Sequence, residues 1–139
     1  MTEKHPLASD PLTCVLSFIR TLEGGGGAED IRPFLADEFV LVEAPHVLAP
    51  KGSTRTLEDV LSGAENSGEV VTGQRFKVNR TTCEGGRVVI EADWSATLRM
   101  DLPYWDSGEI IRARTTSVFE VSGGRILSQD SYDCYFTGG

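Results

Sequence analysis

Residues 109–136 read EIIRARTTSVFEVSGGRILSQDSYDCYF, and this stretch decides the fold. Two long runs rich in β-branched and aromatic residues, Glu109–Val121 and Arg125–Phe136, flank Ser122-Gly123-Gly124. A glycine pair between alternating runs is a hairpin signal, because glycine reaches the positive φ values that tight turns need. The same grammar occurs upstream, where Gln74–Cys83 and Arg87–Met100 flank Glu84-Gly85-Gly86. Four consecutive strands joined by turns predict an antiparallel meander.

The first half of the chain has a helical period. Asp10-Pro11 supplies an N-cap and a first-turn proline, and Leu12, Val15, Leu16, Ile19 and Leu22 recur on one face. The tetraglycine Gly24–Gly27 ends that helix. It lacks the Gly-Lys-Ser/Thr sequel of a phosphate loop and is read as a connector. A short helix over Glu29–Leu35, a strand over Phe39–Glu43 and a third helix from Ser53 or Thr54 to Gly63 complete the order. Helices first and strands afterwards predict α+β, with helices packed on one curved, mostly antiparallel sheet that encloses a pocket.

Composition narrows the class. In 139 residues, 40% are hydrophobic and 24% charged, which suits one globular domain over residues 10–136 after a flexible stretch at 1–9. The formal net charge of −8 repels phosphate backbones, which argues against nucleic acid and anionic membranes as partners. Cys14, Cys83 and Cys134 are odd in number and far apart, so they form neither a disulfide framework nor a zinc motif. With no signal peptide and no apolar run of membrane-spanning length, a cytoplasmic protein is expected.

The order of elements resembles the nuclear transport factor 2-like superfamily. That group includes SnoaL-like polyketide cyclases, ketosteroid isomerases and limonene epoxide hydrolase. Phe34–Val40 with Glu43-Ala44-Pro45, Val88–Trp94, and Val118–Val121 leading into Gln129–Cys134 carry the resemblance over residues 10–136. It implies a cone-shaped, cystatin-like roll, commonly paired sheet to sheet. A homodimer through the face assigned to Trp94, Leu98, Val118 and Tyr132 is therefore expected. Laid against limonene epoxide hydrolase, the catalytic positions become Leu41, Glu43, Asp93, Ser95 and Ser131, and none keeps the residue that enzyme uses. The last-strand Asp of SnoaL-like cyclases is likewise Ser131, followed by Tyr132.

Strand alternation and the family register together place Leu41, Glu43, Asp93, Ser95, Thr115, Gln129, Ser131 and Asp133 toward the pocket. Glu43, Asp93 and Asp133 are the candidate catalytic carboxylates. Crowded in a partly apolar cavity they cannot all ionise freely, so at least one pKa should rise and leave an acid beside a base. Leu41, Ser95, Thr115, Gln129 and Ser131 are candidate substrate contacts. Tyr104 and Trp105, on the loop Asp101–Ser107, either border the pocket mouth or cover an exposed edge or dimer contact. His46, a lone histidine after Pro45, is read as a loop residue. The expectation is a cofactor-free enzyme without a metal, acting on a small hydrophobic, oxygenated metabolite by cyclisation, isomerisation or epoxide opening. The alternative is a non-catalytic ligand-binding or dimerisation module of the same fold.

Overall fold

A computed structural model describes residues 10–137. The expectation for residues 1–9 lies outside them. Helix α1 spans Pro11–Glu23, and Asp10 caps it by accepting the Leu12 N–H. A short α2, Ala28–Ile31, runs into a 3-10 turn at Arg32–Phe34. Strand β1 (Leu35–Glu43), strand β2 (Ser53–Thr56) and helix α3 (Leu57–Asn66) follow. The meander is β3 (Val71–Glu84), β4 (Arg87–Leu98), β5 (Ile110–Ser122) and β6 (Arg125–Tyr135).

All six strands form one sheet in the order β2-β1-β6-β5-β4-β3. Every neighbouring pair is antiparallel except β1 with β6, which run parallel. The glycine turns behave as their sequence demands: Gly85, Gly123 and Gly124 all have positive φ. The third helix begins later than expected, because Ser53–Thr56 pairs with β1 as an edge strand. Thr56 then caps α3 through a reciprocal box with Asp59.

The larger core lies between the sheet and the helices. Val15, Phe18 and Ile19 of α1 meet Phe39, Val88, Ile90 and Phe119 of the sheet, all buried. Each such aliphatic or aromatic side chain contributes about 1.5–3 kcal/mol by leaving water. A second cluster at the far end of the sheet gathers Ala96, Leu98, Ile111 and Trp105, the last delivered by the β4–β5 loop. Between the two clusters the packing opens into a cavity. No helix among the described residues is long and apolar enough to cross a membrane.

Candidate functional site

The cavity has a volume of about 180 Å³ and is walled by α1 on one side and the inner face of the sheet on the other. Cross-strand pairing lays out its polar floor in rows. Ala92, Thr115 and Asp133 lie side by side, and Ile90, Ser117, Ser131, Glu43 and Ser53 form the next row. Opposed residues of paired strands point to the same face, and all of these but Ser53 line the cavity. Phe18, Phe76, Trp94, Phe119 and Tyr135 make the rest of the lining strongly aromatic.

Eight residues besides Glu43 and Asp133 are expected at the pocket from the sequence. Leu41, Thr115, Gln129 and Ser131 line the cavity, as do both of those carboxylates. Trp105 does not; it is buried in the second cluster, edge-on to Tyr135 with ring centroids 5.9 Å apart. Three further expectations are corrected. Asp93 and Ser95 lie on the outer face, because Ala92 and Trp94 occupy the inner positions of β4. Asp93 is bonded there by Asn79 at 3.1 Å and by Arg114 at 3.0 Å, and these donors hold its carboxyl below the usual carboxylate range. Tyr104 is 69% exposed in a loop turn with positive φ, clear of the cavity. The same inversion removes Trp94 and Leu98 from the outer face. Val118 stays on that face, where Tyr132 and Val42 are exposed.

Two carboxyls converge on one point of the lining. Glu43 Oε1 accepts the Ser53 hydroxyl at 2.6 Å, and Asp133 Oδ1 accepts the Ser131 hydroxyl at 3.3 Å. Behind Ser131 a polar chain continues: Ser117 Oγ lies 3.3 Å from Ser131 Oγ, and Gln129 Nε2 donates to Ser117 at 3.4 Å. Burial pushes the Asp133 carboxyl up, and the Glu43 charge pushes the same way, while His46 and the Ser131 hydroxyl oppose them. Burial, with the charges of Asp133 and Glu43, drives the Tyr135 phenol far upward, so it stays a neutral O–H.

The third member of the cluster is His46, read from sequence as a loop residue and now seen with its side chain only 6% exposed. Its ring packs on Tyr135 at 5.2 Å between centroids. Gly52 closes this loop with a φ of 74°, and a Cβ there would meet the Glu43 carbonyl. The backbone N–H of Leu48 donates to Nδ1 at 3.1 Å, so in the neutral ring the hydrogen sits on Nε2. Nε2 has no hydrogen-bond partner, and Glu43 Oε1 lies 4.0 Å away.

Glu43, His46 and Asp133 each bring a ligand-type atom within 4.8 Å of the others, the spacing of a metal cluster. The tautomer opposes that use. A metal needs a lone pair on Nε2, whereas Leu48 leaves a hydrogen there.

Sequence missed His46, Ser53 and Tyr135. Tyr135 was reachable, because it extends the Gln129–Ser131–Asp133 alternation by one step. His46 and Ser53 carry no periodic signal; a short loop and a four-residue edge strand place them.

Helices on one face of an open mixed sheet, with a pocket between them, define a nuclear transport factor 2-like α+β domain. Residues 15–129 match the model of the SnoaL-like domain, and the chain belongs to that family. Among solved structures it is similar to IdmH, a candidate polyketide cyclase from Streptomyces antibioticus. That likeness has 16% identity and a TM-score of 0.73, and it covers 89% of this chain and 91% of that one. A candidate SnoaL-like polyketide cyclase from Jannaschia sp. CCS1 is 15% identical, with a TM-score of 0.72 over 96% of this chain and 91% of that one. A nuclear transport factor 2-like protein from Burkholderia thailandensis is 19% identical, with a TM-score of 0.68 over 88% and 89%. At these identities the likeness is one of fold. No curated protein matches the chain in sequence.

Proposed function

We propose that this SnoaL-like protein is an acid/base enzyme of small-molecule metabolism that moves a proton beside a carbonyl group. That step is shared by isomerisation and aldol-type cyclisation. The observation that carries the reading is the pairing of Glu43 and Asp133 in an aromatic cavity, one carboxyl steadied by Ser53 and the other shifted toward its neutral form. In this reading ionised Glu43 removes a proton from carbon, and neutral Asp133 supports the carbonyl oxygen as charge develops on it. The cavity suits a substrate with one ring inside, since a pocket of ~150 Å³ holds benzene. A second copy of the chain, paired through the outer face that bears Tyr132, belongs to the same proposal.

A substrate-independent assay tests it. Cyclohexanone incubated with the protein in D₂O should lose its α-proton NMR signals faster than in buffer alone. Glu43→Gln should slow that exchange by roughly 10²-fold or more. If no monocyclic ketone in a panel exchanges faster than with Glu43→Gln, the domain is a binding module.

A further inference from the structure

The polar chain on the cavity floor has a direction. A serine hydroxyl carries one hydrogen and donates only once. Ser131 uses its hydrogen on Asp133 Oδ1 at 3.3 Å. In the 3.3 Å contact between the two serines the donor is therefore Ser117. With that hydrogen committed, the 3.4 Å contact between Ser117 and Gln129 is donated by Gln129 Nε2. The amide is thereby oriented, and Oε1 is the end turned away from the chain. No group among the described residues donates to that oxygen. It is not closed off by packing either, because His46 Nε2 is the one buried side-chain N or O atom among the described residues left without a partner. Gln129 is half-buried and lines the cavity. Its cross-strand neighbours there, Leu41 and Phe119, are apolar.

We infer that Gln129 Oε1 accepts a hydrogen bond from a hydroxyl on the substrate, which makes the ligand class a hydroxylated cyclic ketone. An acceptor held at this point demands a donor from whatever displaces water there. Leu41 pairs with Gln129 and Glu43 with Ser131, so Gln129 stands one row from the Glu43 carboxyl, about 7 Å along the strands. A six-membered ring with substituents on opposite carbons bridges that gap, its carbonyl toward Glu43 and its hydroxyl toward Gln129. The inference deepens the proposed function and rests on its reading of the cavity as a site for a small carbonyl compound. It adds a rule of selection. A methyl group in place of the hydroxyl leaves Oε1 unpaired, and a second carbonyl sets two acceptors against each other, so both analogues are disfavoured.

Three cyclohexanones that differ only on the ring carbon opposite the carbonyl make the test. One bears a hydroxyl there, one a methyl group and one a second carbonyl. Their affinities should be measured by NMR titration against the wild type, Gln129→Met and Ser131→Ala. The wild type should bind the hydroxyketone about fivefold more tightly than the methyl analogue or the diketone. Gln129→Met keeps the length of the side chain and removes the acceptor, so it should bind the hydroxyketone no better than the methyl analogue. Ser131→Ala removes the group to which Ser117 donates; Ser117 then donates to Gln129 Oε1, and the amide turns its N–H to the cavity. That variant should favour the diketone over the methyl analogue. A wild type without hydroxyl preference, or a preference that survives Gln129→Met, overturns the inference. A Ser131→Ala variant that still favours the hydroxyketone over the diketone overturns the directed chain. The wild-type comparison decides alone if a thermal melt shows a variant unfolded. If none of the three ligands binds, the inference falls with the cavity reading beneath it. Otherwise the two proposals fail separately. Hydroxyl preference that depends on Gln129, with no α-proton exchange, removes the catalytic reading and leaves the inference. Exchange without hydroxyl preference does the reverse.

Discussion

Ser53 donates its hydroxyl to Glu43 Oε1 at 2.6 Å, across the pairing of edge strand β2 with β1. A short hydroxyl-to-carboxylate bond fixes the orientation of the carboxyl. Removing it as Ser53→Ala should destabilise the fold by about 1–2 kcal/mol at pH 7. A double-mutant cycle with Glu43→Ala in urea should return a coupling of similar size. A Ser53→Ala variant as stable as the wild type would mean that this hydroxyl does not hold Glu43.

Asp133 lies in the cavity lining beside Glu43. Its folded carboxyl titrates higher than an unfolded one because burial, and then Glu43, disfavour the charge. Linkage sets the sign: the stability tied to its neutral form is intact below the unfolded pKa and is lost as pH rises through the folded value. Asp133→Asn should therefore match or exceed the wild type in stability at neutral pH, with the difference fading below pH ~3.9. The amide N–H of this variant is a weaker donor than a carboxylic acid, so it should slow α-proton exchange. Marked destabilisation at pH 7 in urea titrations would show instead that the carboxylate is a satisfied structural acceptor.

For Asp93 the expectation is a null result in catalysis. It sits on the outer face between Asn79 and Arg114, and its lowered carboxyl contributes stability above the unfolded pKa that is lost as pH falls through the folded one. The pair is exposed, so salt screens it. Asp93→Asn should exchange ketone protons at the wild-type rate. A tenfold drop would place a reaction step on the outer face.

The outer face also carries the assembly prediction. Tyr132 is 52% exposed there and Val42 40%. Light scattering should report a dimer at micromolar concentration, and Tyr132→Glu should convert it to a monomer with its secondary structure retained by circular dichroism. A wild-type monomer at high micromolar concentration removes the partner from the proposal.

The meander was legible because its turns are written in glycine and its strands alternate cleanly. On β5 and β6 the family register turned Thr115, Ser131 and Asp133 toward the face that lines the cavity. On β4 the alternation pointed the right way and was overridden. Glu91, Asp93, Ser95 and Thr97 are polar, whereas Ala92, Trp94, Ala96 and Leu98 are largely apolar, and a one-sided sheet turns the apolar set inward. Family register, carried across distant relatives, slipped by one residue and so reversed the strand's faces. His46 was unreadable for another reason. Its burial depends on the bridge between His46 and Ala49 and on a ring 89 positions further along the chain, and neither leaves a local pattern.

Strand β6 lies between β1 and β5, in the middle of the sheet, and its parallel register with β1 sets Ser131 beside Glu43. Glu43 and Asp133 are 90 residues apart in the chain. At about 5–20 residues per second, a ribosome needs roughly 5 to 18 s to add the second after the first. Throughout that interval the nascent protein holds Glu43 without Asp133 and a cavity with one wall missing. On the proposed reading the site is therefore completed in a single event, the insertion of β6, and a chain stalled before it should show none of the α-proton exchange.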